Sequence, residues 1–122
     1  MRVLIVENGA IIAMHLAKLV TDLGHEVCAY AASASDAIAQ ATAFKRDVAI
    51  MDLRLAKGSS GVDAARALYE RHALRCIFVS GNLDEPTRAA LLPYDSIDFL
   101  GKPVLPLLLQ RALRKAEGLT GL

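Results

Sequence analysis

The sequence predicts an α/β domain in which an open parallel sheet carries helices on both faces. Three observations predict it. Short, β-rich apolar runs alternate with longer amphipathic stretches along all 122 residues. The runs are continuous rather than alternating, as expected of strands buried on both faces of a parallel sheet. Each run ends on a polar residue or a turn signal, and an apolar set at helical spacing follows.

The first run is Val3-Leu4-Ile5-Val6, which ends at Glu7 and is broken by Asn8-Gly9. Ile12, Leu16, Leu19 and Leu23 then recur at helical spacing, with Gly24 as a stop signal. Asn8 is a candidate N-cap for this helix. Glu26 to Tyr30 read as a second strand, and Ser35-Asp36 open a helix whose small apolar face is Ala37, Ile38 and Ala41. Val48-Ala49-Ile50-Met51 form a third strand that ends at Asp52. A loop with Gly58, Ser59, Ser60 and Gly61 leads into a helix carrying Val62, Ala65, Leu68 and Tyr69. Cys76-Ile77-Phe78-Val79 are the fourth strand, ending at Ser80-Gly81. Asp84-Glu85-Pro86 start a helix with acids in its first turn, and Pro93 cuts it short. Ile97-Asp98-Phe99-Leu100 are the fifth strand, ending at Gly101-Lys102-Pro103. The last helix places Leu105, Leu108, Leu109, Ala112 and Leu113 on its core face, with Arg111, Arg114 and Lys115 toward a basic end.

Composition narrows the function. The chain is 54% apolar and 22% charged, with a net charge of +1, an ordinary globular balance without the basic footprint of a nucleic-acid binder. No apolar run is long enough to span a bilayer, and the apolar start reads as a strand, not a targeting segment. Cys28 and Cys76 sit in β-prone stretches outside any metal or redox spacing, which suits thiols in a reducing cytoplasm. The length fits one domain over residues 1–122.

In open parallel sheets the working crevice lies beyond the carboxyl ends of the strands. Those ends carry Glu7 and Asn8, Asp52, Ser80 and Gly81, and Lys102. Two carboxylates, an amide, a hydroxyl and an ammonium on one edge suit phosphoryl transfer to a carboxylate, where catalysis is mainly positioning and charge neutralisation. Asp52 can act as nucleophile. Lys102 can place a point charge on the phosphoryl oxygens, and Ser80 can hydrogen-bond one of them. Carboxylate and carbonyl oxygens with water would hold a hard cation such as Mg2+.

Taken in order, Leu4-Ile5-Val6-Glu7-Asn8, Met51-Asp52-Leu53, Gly61, Ser80-Gly81 and Lys102-Pro103 make the chain resemble the receiver domains of two-component response regulators, from about Arg2 to Ala116. The resemblance implies a flavodoxin-like (βα)5 fold with strand order 2-1-3-4-5. It implies that Asp52 is the phosphoacceptor, that Glu7, Asn8 and Asp52 surround a Mg2+ ion, and that the backbone carbonyl of Arg54 completes the shell. Ser80 and Phe99 become a switch pair in which Ser80 moves toward phosphorylated Asp52 and Phe99 turns inward. A cis peptide is expected at Lys102-Pro103. The implied partners are a histidine kinase or histidine phosphotransfer protein and a protein output target, with neither nucleic acid nor membrane. The outer face of the last helix is a candidate homodimer surface by analogy. The role is signalling rather than enzymatic.

Two departures from the family stand out. Receivers usually have two acids where this chain has Glu7-Asn8, which predicts weaker Mg2+ binding. The loop from Leu53 to Gly61 is one residue longer than is common and lacks the usual proline; with Ile77-Phe78-Val79-Ser80-Gly81-Asn82 it is similar to an alphaproteobacterial subgroup, some of it in general stress signalling. Two readings follow: a phosphorylation-dependent module, or a phosphorylation-independent adaptor that kept the fold while Asn8 weakened metal binding. A third, a flavodoxin-like ligand-binding or enzymatic domain, lacks a Gly-rich phosphate loop after the first strand.

Overall fold

The computed structural model describes residues 1–55 and 60–120. The predicted alternation is present throughout: β1 (Arg2–Val6), α1 (Ala10–Asp22), β2 (Glu26–Ala31), α2 (Ala34–Ala43), β3 (Val48–Asp52), α3 (Gly61–His72), β4 (Cys76–Ser80), α4 (Glu85–Leu91), a 3-10 turn (Leu92–Tyr94), β5 (Asp98–Gly101) and α5 (Pro106–Thr120). All strand pairings are parallel, and the sheet order is β2-β1-β3-β4-β5, as the resemblance implies. Gly58 and Ser59 of the loop after Asp52 lie outside the described residues.

Continuous apolar strands follow from a sheet covered on both sides. Side chains alternate across a strand, so Val3 and Ile5 enter one core and Leu4 and Val6 the other. The first core joins Leu16 and Val20 of α1 to Leu109, Ala112 and Leu113 of α5. The second joins Ala37 and Ala41 of α2, Ala64, Ala65 and Leu68 of α3, and Leu91 of α4. Every residue of β3 and β4 is buried. Cys76 is buried and Cys28 only half-buried; Cys28 falls at a register shift against β1, where its thiol donates to the Val3 carbonyl.

Local signals set the helix ends. The Asp84 carboxylate accepts from the Thr87 N–H at 2.8 Å and caps α4 with Pro86 in its first turn. Pro93 ends α4 as expected, and the chain tightens into the 3-10 turn. Gly24 takes φ +89, which releases the chain after α1.

Several details differ from the sequence reading. The N-cap of α1 is Gly9 rather than Asn8, without a side-chain cap bond. Ile12 is 40% exposed, because Ala13, Leu16 and Val20 form the inward stripe. The α2 cap is Ser33, which accepts from the Asp36 N–H. β5 begins at Asp98, after Ile97. Leu105 precedes α5 and is 57% exposed, while Leu109, Ala112, Leu113 and Ala116 are buried. The basic residues Arg111, Arg114 and Lys115 lie inside α5 and not in its last turn, because the helix runs on to Thr120.

His25, after α1, ties the start of the chain to α5. The Met1 amino group is 3.0 Å from His25 Nδ1, and Nε2 is 3.5 Å from a Glu117 carboxylate oxygen. Burial holds the imidazole below its usual 6.5, the amino-terminal charge adds to this, and Glu117 opposes it. Protons then bind the unfolded chain more readily than the folded one just below pH 6.5, so this contribution to stability is present above 6.5 and lost as pH falls. The unfolding free energy from urea denaturation should drop on acidification from pH 7 to 5.5 with a slope of at most about 1.4 kcal/mol per pH unit from this group. A His25→Gln variant should show a shallower slope; an unchanged slope would refute the assignment.

Candidate functional site

The carboxyl edge of the sheet carries an open cavity of about 560 Å³, lined by Glu7, Asn8 and Ile12 near β1, Asp52 at the end of β3 and Arg54 beyond it, Ser80 at the end of β4 and Asn82 beyond it, and Lys102 after β5. Parallel strands necessarily deliver their last residues to one edge, so four strands contribute to a single crevice.

At its centre the Lys102 ammonium lies 3.2 Å from Glu7 Oε2 and 3.2 Å from Asp52 Oδ2. Both carboxylates are buried, Glu7 at 6% and Asp52 at 4% exposure. One cation therefore faces two buried acids. Burial raises the Glu7 carboxyl to about 7, the adjacent Asp52 carboxylate pushes in the same direction, and Lys102 opposes both. Lys102 reaches this position from the end of β5, and the Lys102–Pro103 bond is cis as the resemblance implies.

The other carboxylate oxygen of Asp52 is held by the chain itself: the Arg54 N–H donates to Asp52 Oδ1 at 3.1 Å. Arg54 pairs across the loop with Ser60, whose side chain accepts from the Val62 N–H at the start of α3. Gly61 then packs directly on the backbone of β3. A Cβ there would overlap the Asp52 carbonyl oxygen and come within 2.6 Å of Leu53 Cα. Glycine is required at this position by close approach and not by backbone dihedral.

Asn8 is exposed at the cavity rim. Ser80 is buried, and its hydroxyl is occupied by a local turn, donating to the Asn82 carbonyl and accepting from the Asn82 N–H, each at 3.1 Å. Phe99 is half-buried. Its ring stacks on Phe78 with centroids 5.5 Å apart, and the Arg88 guanidinium sits 5.1 Å from its centroid. The predicted residues Glu7, Asp52 and Lys102 are thus in direct contact, Asn8, Arg54 and Ser80 line the same cavity, and Phe99 stands apart from it.

The donors expected from the sequence, the Glu7 and Asp52 carboxylates, the Asn8 amide and the Arg54 backbone carbonyl, are all oxygens. Two adjacent buried acids with a single ammonium leave an excess of negative charge, which fits a hard divalent cation completed by water. Among the described residues no group of three or more Asp, Glu, His or Cys could hold a metal, so Asn8 leaves the site one acid short of a trio. Sequence reasoning missed Asn82 and Arg88. Asn82 follows a strand end and could have been included there; Arg88 has no local signal, since it meets Phe99 only through the fold.

Comparison with known proteins agrees with the geometry. A family model described as the response regulator receiver domain matches residues 3–114. The chain is similar to the phyllosphere-induced regulator PhyR of Methylorubrum extorquens, 32% identical over 94% of this chain and 46% of that protein. It is similar to the chemotaxis protein CheY of Thermotoga maritima, 27% identical over 95% of this chain and 97% of that one. Among solved structures, the REC domain of PhyR from Erythrobacter litoralis superimposes with a TM-score of 0.80 at 30% identity, covering 94% of this chain and 88% of the other. The chain spans less than half the length of the Methylorubrum relative.

Proposed function

The chain belongs to the response regulator receiver domain family, and from that premise we propose that it accepts a phosphoryl group on Asp52 from a histidine kinase or histidine phosphotransfer protein and passes the change to a protein partner. The observation that carries this reading is the Lys102 ammonium shared between two buried carboxylates in an open crevice. In the reaction an Asp52 oxygen attacks phosphorus, the new O–P bond forms, and the donor's bond to phosphorus breaks with its electrons leaving on the donor. The Arg54 N–H orients Asp52 through Oδ1. Lys102 is placed to follow the charge onto the phosphoryl oxygens. Glu7, Asn8, Asp52 and the Arg54 carbonyl would hold Mg2+, which when bound supplies positive charge to the phosphoryl oxygens. Ser80 must leave its turn on Asn82 to reach the phosphoryl group, and Phe99 follows as the second half of the switch. The proposed setting is the cytoplasm, and the receiver unit is taken to be the whole of residues 1–122.

The test is incubation with a small phosphodonor with and without Mg2+, read by intact mass. One adduct that needs Mg2+ supports the reading; none under any Mg2+ concentration overturns it. Asn8 favours a second reading, the phosphorylation-independent adaptor, because an exposed amide stands where a further charge would strengthen the metal site. Asn8→Asp should lower the Mg2+ concentration for half-maximal adduct formation by about 5- to 30-fold, equivalent to roughly 1–2 kcal/mol of charge–charge attraction near the surface. An adduct only on Asn8→Asp would establish the adaptor reading for the natural chain.

A further inference from the structure

Phe99 lies between two partners of opposite kind. One face stacks on Phe78, which is fully buried in the core beneath α3 and α4. The Arg88 guanidinium, from the middle of α4 where its first turn closes, sits 5.1 Å from the ring centroid. Strand register reinforces the placement, since Phe99 is paired with Phe78 and Gly101 with Ser80. Arg88 makes no ion pair among the described residues that would compete for its charge.

The far end of α4 is fixed by other contacts. Leu91 is fully buried, and the Tyr69 hydroxyl donates to the Asp95 carboxylate, which also pairs with Arg75 at 3.6 Å. Tyr94 packs on Tyr69 with ring centroids 6.2 Å apart. The segment after α4 is thereby clamped to α3 and to Arg75, just before β4. The preceding turn, from Asp84 to Arg88, contains no buried residue. Its connection to the aromatic pair runs through Arg88.

We propose that Arg88 is a positioning residue that holds Phe99 against Phe78 in the unphosphorylated protein, so that inward rotation of Phe99 releases the first turn of α4. This inference rests on the proposed phosphorylation of Asp52 and names the contact that resists its readout. A cation over an aromatic face is attracted by the ring quadrupole, and the attraction is lost if the ring turns away. Any ligand at Asp52 that favours the rotated state must work against this contact, so removing the contact must strengthen that ligand's binding by the same factor.

The test uses beryllofluoride, an anionic phosphoryl mimic, titrated with saturating Mg2+ into the whole chain. Arg88→Met keeps the aliphatic stem and removes the cation; half-saturation is expected at a roughly two- to fivefold lower beryllofluoride concentration, the range set by a partly exposed cation–aromatic contact. Arg88→Lys retains the cation and should stay near the wild type. In a Phe99→Ala background the Arg88→Met effect should vanish, which separates the contact from a general effect of charge on anion binding. Equal effects of Arg88→Met with and without Phe99 would overturn the inference while leaving the proposed function intact, as would no effect at all. Failure of the wild type to bind beryllofluoride or accept a phosphoryl group would overturn both.

Discussion

A Gly61→Ala variant is expected to lose about 1–3 kcal/mol of stability and most of its capacity for adduct formation, because a Cβ there meets closer neighbours than at any other described glycine. The reason is where the methyl would go. It would overlap the carbonyl of Asp52 and crowd Leu53 Cα, so the neighbours it meets are backbone atoms that cannot change rotamer. Either the N-terminus of α3 lifts away, breaking the Gly61 N–H bond to the Leu53 carbonyl, or the end of β3 shifts and carries the Asp52 carboxylate with it. Urea denaturation would measure the first and phosphodonor incubation the second. A variant with wild-type midpoint and adduct rate would show that the loop yields without cost. Gly118, with nothing within 4 Å of a new Cβ, is the natural control for added helix propensity.

Asp52→Asn is expected to abolish the adduct completely and, at the same time, to stabilise the fold. Glu7 and Asp52 are buried side by side with one ammonium between them, and the neighbouring Asp52 charge helps to raise Glu7 to about 7. Neutralising Asp52 leaves Glu7 and Lys102 as a simple pair. The Glu7 carboxyl then falls toward its ordinary range, and stability rises by roughly 1–2 kcal/mol at pH values where Glu7 is ionised. Below about pH 6, where the native Glu7 is already protonated, the gain should shrink. Denaturation of both proteins without added Mg2+ at pH 6 and pH 8 tests the sign. If Asp52→Asn is less stable at pH 8, the two acids do not oppose one another and the electrostatic account fails. A more stable Asp52→Asn at pH 8 would instead show that the Asp52 carboxylate is held in place against a standing repulsion, a pattern common to working sites.

Much of this was legible in the sequence, for identifiable reasons. Val3 to Val6 and Cys76 to Val79 are unbroken apolar runs because both faces of their sheet are covered, and Glu7, Asp52, Ser80 and Lys102 are visible because parallel strands put their ends together. The helices were harder. Leu105 fits an apolar stripe by spacing, yet Pro106 starts α5 one residue later and leaves Leu105 facing out. Asn8 and Gly9 are both good helix preludes, and only the backbone decides that Gly9 is the cap. The state of each side chain was beyond reach. Nothing local says that the Ser80 hydroxyl is closed on Asn82, or that Arg88, eleven residues before Phe99, meets its ring.

The division of the interior into two separate cores has a consequence for how the molecule can change over time. Phe78, Phe99 and Leu91 belong to the core under α2, α3 and α4, whereas Leu16, Leu109 and Leu113 belong to the core under α1 and α5. The sheet stands between them as a partition. Repacking the α1–α5 side should move the melting temperature with little trace in the response proposed for Phe99, so robustness and responsiveness would be adjusted by different sets of mutations. A lineage could harden one side of the partition against heat while retuning the other for a new partner.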